Sequence, residues 1–302
     1  MTHPPTTPDR AHLALKALTE FWADMGLEEA RAFTIPRQPA QRAPTTSRSS
    51  APVRQTERPP GSLSTGPAGQ IAGQLGSPQL GGPRPAPRRI NNNPIADARR
   101  LASAANTLAE LRAAIEGFNG CELKKAAKTT VVCDGAFGAD IMIVGEAPGG
   151  EEDAQGLPFV GRAGQLLDKM LATVGLSRKE NVYITNLIYW RPPGNRDPSP
   201  AEMQICAPFL TRQIELKKPK LLLTAGKFAT QAMLGTEDGI MRLRGRKLLY
   251  RQEGIPAPIK CVPLLHPAYL LRRPEDKAKA WDDLRTIATL CDDLGIKRSP
   301  AL

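Results

Sequence analysis

The chain is poor in several features that would settle its class at once. No apolar run among its 302 residues approaches the roughly 20 residues that carry a helix across a bilayer, so a membrane-embedded chain is not expected. The first residues, MTHPPTTPDR, hold no basic segment followed by an apolar one, so a secretory leader is not expected and the expectation is a cytoplasmic protein. Cysteine is sparse: Cys121, Cys133, Cys206, Cys261 and Cys291 are odd in number, and no two of them stand in a C-x-x-C pair. That argues against a disulfide scaffold and a zinc knuckle and favours reduced thiols. Histidine occurs only at His3, His12 and His266, and no second carboxylate cluster accompanies the acidic segment described below, so no metal site is expected.

Positive charge is abundant, with a formal net charge of +11, but it is unevenly spread. Residues 35–90 hold eight Arg, no Lys and one acidic residue, Glu57, while residues 1–34 are slightly acidic. A moderately basic remainder with a basic arm suits an anionic partner such as nucleic acid, although a plain solubility surplus fits equally well. Three segments follow from composition. Residues 10–30 place Leu13, Leu15, Leu18, Phe21, Trp22 and Met25 at helical spacing, so segment 1–34 is expected to carry one amphipathic helix that docks on the globular part or on a protein partner. Residues 35–92 are a Pro/Gly/Arg-rich linker with eleven Pro, too poor in apolar residues to offset chain entropy, and are expected to be disordered. Residues 93–302 form the folded domain.

In that domain, the stripe Leu101, Ala105, Leu108, Leu111 and Ile115 predicts one helix over 95–116 ending at Gly117. Short apolar runs at 140–144, 182–185, 221–224 and 261–265 predict strands buried on both faces. They alternate with predicted helices at about 163–174, 200–216, 226–234 and 275–294. The alternation predicts a three-layer α/β/α domain with a mostly parallel sheet. Glu146, Asn186, Gly226 and His266 then fall just after or at the ends of successive strands, where open α/β sheets bind ligands.

Three segments carry chemistry. GEAPGGEEDAQGLPFVGRAGQLLD, residues 145–168, joins strand to helix through a loop rich in glycine and carboxylates. Its acidic residues can act as a general base or position water, Phe159 can stack on a planar ligand, and the GRAG helix start can face an anion. TNLIYWRPPGNRDPSPAE, from Thr185, offers Asn186, whose carboxamide can both donate to and accept from a planar polar edge, and Arg191 and Arg196 for phosphates. LLHPAYLLRRP, from Leu264, offers His266 as stabiliser of a developing anion. It also offers Leu270 and Leu271 as a wedge for a base stack, beside the phosphate-holding Arg272.

Together, in this order and at these separations, the three segments resemble the motifs of family 4 uracil-DNA glycosylases, over roughly residues 115–295. The resemblance implies a central four-stranded, mostly parallel sheet between helices. It implies an enzyme that flips uracil out of DNA and hydrolyses its N-glycosidic bond without metal, leaving an abasic site in base excision repair. Carried over, Glu146, Glu152 and His266 are the candidate catalytic residues, with Asp153 a further candidate for positioning water or the loop. Gly145, Ala147, Phe159 and Asn186 would border the uracil; Arg162, Arg191, Arg196, Leu270, Leu271 and Arg272 would contact DNA. Ala147 stands where the related family 1 motif GQDPYH has its water-activating Asp. The family's four-cysteine iron–sulfur cluster would need ligands at 118, 121, 190 and 206, which here are Phe118, Cys121, Trp190 and Cys206. With two of four ligands missing, no cluster is expected. The insertion that carries the covalently reacting His of a related branch is absent from GRAGQLLDKML, so turnover is expected; the protein is also expected to be a monomer. The rival readings are a non-catalytic DNA-binding relative and a metal-dependent nucleotide hydrolase using the acidic loop.

Overall fold

The structure, a computed structural model, describes residues 93–299. The expected helix at 10–30 and the linker at 35–92 lie outside the described residues.

Helix α1 (Pro94–Ala104) begins where Asn93 accepts the amides of Ile95 and Ala96 on its side-chain oxygen, at 3.1 and 3.3 Å. Pro94 occupies the first helical position, where no N–H is needed. Helix α2 (Leu108–Gly117) is separate from it, so the single helix expected over 95–116 is two. Thr107 accepts the Glu110 amide at 3.1 Å, and Glu110 in return accepts the Asn106 amide at 2.7 Å. Such a cap contributes about 1 kcal/mol and starts a new helix inside an unbroken apolar stripe.

There follow α3 (Leu123–Ala126), β1 (Asp134–Gly135), β2 (Ile141–Gly145), α4 (Gly150–Gln155), α5 (Arg162–Ala172) and β3 (Val182–Asn186). Beyond a 3-10 turn at Pro193–Asn195 come α6 (Pro200–Lys217), β4 (Leu221–Ala225), α7 (Lys227–Leu234), α8 (Ile240–Leu243) and β5 (Leu248–Tyr250). The last elements are β6 (Ile259–Leu264), α9 (Pro267–Arg272) and α10 (Lys277–Asp293).

The sheet runs β1-β3-β2-β4-β6-β5. Its centre is the four expected strands, all parallel, but β1 pairs antiparallel with β3 and β5 antiparallel with β6, making six strands where four were expected. The two edge strands are two and three residues long and only partly buried, so they leave no apolar run to read. β2, β3 and β4 are buried along their whole length because helices cover both faces. Side chains alternate across the sheet, so Met142 and Val144 pack with Ala98, Leu111, Ile115, Phe209 and Ile214 of α1, α2 and α6. Ile141 and Ile143 pack on the other face with Leu166 and Met170 of α5 and Leu284 and Ile287 of α10. The three-layer α/β/α architecture is as expected.

β3 lies on one side of β2 and β4 on the other, so the winding reverses at β2. A crevice opens outside the carboxyl ends of the strands at such a point. The β2–β3 register sets Gly145 directly opposite Asn186, which brings the ends of the first two motifs into contact. Among the described residues no helix is long and apolar enough to cross a membrane.

Candidate active site

A cleft of about 580 Å³ occupies this crevice, with Glu146, Phe159, Asn186, Asp197, His266 and Arg272 in its wall. It gathers all three sequence motifs. Gly145 ends β2 beside Asn186 and Phe159. A Cβ there would fall 2.4 Å from Asn186 Oδ1 and 2.5 Å from the Phe159 ring, so only glycine lets the two side chains meet across the strand end.

Asn186 ends β3 and is 1% exposed, yet its Oδ1 has no hydrogen-bond partner among the described residues. Leaving a buried acceptor unmet costs about 1–3 kcal/mol, a cost that a ligand donor would remove. Phe159 is buried and adopts φ 54°, in the left-handed region that bulky residues avoid, at a cost on the order of 1–3 kcal/mol. Its ring lies 5.7 Å from that of His266, tilted by 31°. His266 caps α9: its Nδ1 accepts the Ala268 amide at 3.1 Å, which leaves the proton on Nε2. Burial lowers its pKa to about 4, with Arg272 adding to the effect and Glu152 opposing it, so at neutral pH it is an uncharged donor. Gly226, at φ +92°, passes so close that a Cβ would lie 2.9 Å from the His266 Cβ.

Glu146, just beyond β2, is half-buried, and burial followed by repulsion from Asp197 pushes its carboxyl up to about 7. A carboxyl balanced there can take a proton at neutral pH. Glu152 also lines the cleft, but both oxygens serve the loop: Oε1 accepts the amides of Val160 and Gly161 at 2.9 Å each, and Oε2 that of Gly149 at 3.1 Å. Asp153 faces away from the cleft. It is buried and accepts the amides of Lys128 and Thr129 at 2.8 and 3.2 Å, pinning α4 to the preceding chain.

Ala147 and Arg196 line the cleft, and Arg196 is held by Glu202 at 2.6 Å. Arg162 is exposed at the first position of α5, and Arg191 donates through Nε to Asn195 at 2.7 Å; neither lines the cleft. The expected leucine wedge needs correcting. Leu270 is 1% exposed and packs in the core beside Met170 and Ala280, and Leu271 packs half-buried against the same core. Pro267 and the His266 cap wind these residues into a helix, which turns Leu270 inward. Asp197 and the exposed Met241 on the rim were missed by sequence reasoning. Asp197 directly follows RPPGNR after β3, a position from which it could have been suspected; Met241 follows no recognisable pattern.

The cluster positions form a second, separate locus. Phe118 and Trp190 are buried, with ring centroids 6.3 Å apart, and Phe118 packs edge-on against Phe209 at 5.1 Å. The Trp190 indole N–H donates to Thr130 Oγ1 at 3.0 Å. The hydrogen bond between Cys121 and Cys206, with burial, holds the Cys206 thiol protonated, well above its ordinary range. Two thiols facing two aromatic rings do not fit a cluster that wants four thiolates.

The cleft at the switch point of the parallel sheet thus brings together a carboxyl, a carboxamide with an unmet oxygen, an aromatic ring and a neutral imidazole. The family model of the uracil DNA glycosylase superfamily matches residues 134–285, and the chain belongs to that family. It is 40% identical over 186 residues to the type-4 uracil-DNA glycosylase of Archaeoglobus fulgidus, covering 60% of this chain and 90% of that protein. The type-4 enzyme of Saccharolobus solfataricus is 40% identical over 172 residues, 55% of this chain and 78% of its own. That of Thermotoga maritima is 38% identical over 159 residues, 52% and 80% respectively.

Proposed function

We propose that the chain is a monofunctional uracil-DNA glycosylase that works without metal or iron–sulfur cluster. The observation that carries this is the buried, unpartnered Oδ1 of Asn186 beside the Phe159 ring. A flipped uracil stacks on Phe159, its N3–H donates to Asn186 Oδ1, and the Asn186 amide donates to O4. Extracting the base costs a few kcal/mol, and stacking returns about 1–3.

As the N-glycosidic bond breaks, its electron pair leaves with uracil and the sugar becomes oxocarbenium-like. The Nε2–H of His266 donates to the O2 on which negative charge grows, an interaction stronger in the transition state than in the ground state. Water adds to C1′ and gives its proton to Glu146, whose carboxylate also stabilises the cationic sugar. Arg196 and Arg272, on the rim, hold phosphates. The test is a uracil-bearing oligonucleotide incubated with the protein in EDTA, then alkali. Strand breaks at uracil are expected; intact strands would overturn the reading, and breaks only without chelator would favour the metal-dependent hydrolase. The same preparation is expected to lack stoichiometric iron and a visible absorption band.

A further inference from the structure

Phe159 is an aromatic in a left-handed backbone conformation at the centre of the site, and a group outside the cleft wall holds it there. The geometry points to Arg178 as the residue that positions Phe159 for stacking on the extruded base. The inference rests on the reading of Phe159 given above. Arg178 lies between α5 and β3, outside all three motifs, and its side chain is 14% exposed. Its guanidinium is spread over four acceptors. Nη2 donates to the Phe159 carbonyl at 2.6 Å and Nη1 to the Pro158 carbonyl at 3.1 Å, so both peptide planes flanking the Phe159 backbone are held by one rigid group. The guanidinium is itself anchored: Nη1 also reaches Asp134 Oδ2 at 2.8 Å, on edge strand β1, and Nε reaches Asp168 Oδ1 at 2.8 Å, on α5.

Gly164 of α5 packs against the same carbonyl, where a Cβ would lie 1.8 Å from the Phe159 oxygen. The ring is therefore fixed by its backbone, and that backbone fixes the ring's tilt against His266 and its approach to Gly145. Only arginine fits. Lysine keeps the charge, but its donors radiate from one nitrogen and cannot meet four acceptors set around a planar fork. Arg178 touches no substrate; it acts through Phe159.

This predicts non-additivity. Arg178→Lys should lower kcat/KM on uracil DNA about tenfold and weaken inhibition by free uracil by the same factor, as expected for coupled residues in contact. In a Phe159→Leu background the same substitution should change kcat/KM by less than about twofold, because the ring it positions is gone. Asp168→Asn, which removes one anchor at a half-exposed position and leaves the arginine charged, is read in the same cycle and keeps the test decisive if Arg178→Lys does not fold. Losses that multiply across the two backgrounds would overturn the proposal, since they would mean general damage. So would an unchanged kcat/KM in both Arg178→Lys and Asp168→Asn. A wild-type protein that leaves uracil DNA intact would bring down both the proposal and the function it rests on.

Discussion

Two buried regions of this domain treat their polar groups in opposite ways. At the strand ends the fold preserves a cleft and leaves the Asn186 oxygen unmet within it. At the locus of Phe118, Cys121, Trp190 and Cys206 the four side chains are buried, and the Trp190 indole N–H has its acceptor in Thr130 Oγ1. The first region carries an energetic cost that a ligand can repay. The second leaves no buried side-chain nitrogen or oxygen unmet among the described residues.

That division can be broken by substitution. The largest effect should come from Trp190→Ala, which is expected to lower the unfolding free energy by about 3–5 kcal/mol through loss of a fully buried indole. Excision per folded molecule should stay within about twofold of wild type, since the two loci are separate. Urea unfolding with parallel activity titration measures both, and a large loss of specific activity would show that the loci are coupled. His266→Ala should do the reverse: a fall of about 10²- to 10³-fold in single-turnover cleavage, as for loss of one oxyanion donor, with affinity for uracil DNA little changed.

The smallest effect sharpens the picture inside the cleft. In the proposed mechanism Glu146 works as a carboxylate, and its pKa in the fold is raised to about 7, so kcat/KM should rise as pH passes upward through about 7. Burial is the main cause and Asp197 the second, so Asp197→Asn should move that limb to lower pH, by less than about one unit for a rim charge open to solvent. His266, at about 4, stays neutral throughout this range and adds no limb of its own. A pH–rate profile unmoved in Asp197→Asn would detach Asp197 from the mechanism.

Much of this was legible in the chain because the same residues carry pattern and chemistry. The four central strands are continuous apolar runs, and each is followed by, or ends on, the residue that matters: Glu146, Asn186, Gly226, His266. The failures have physical causes. Thr107 and Glu110 form a reciprocal cap that a stripe of leucines conceals. β1 and β5 are set by pairing rather than by their own composition. Leu270 beside two arginines looks like an exposed wedge, but the helix started at Pro267 turns it into the core. Glu152 looks like a base, whereas its oxygens are taken by three amides. Arg178 could not be read at all, because its meaning lies in backbone carbonyls some twenty residues away in sequence.

Those three amides have a further consequence. By gripping Gly149 at one end of the loop and Val160 and Gly161 at the other, Glu152 closes residues 149–161 into a ring with a single clasp. The amide hydrogens of these three residues can exchange with solvent only when the clasp opens. Although they sit in a loop, their exchange rates therefore clock the breathing of the whole base-stacking wall, in the free protein and before any DNA arrives.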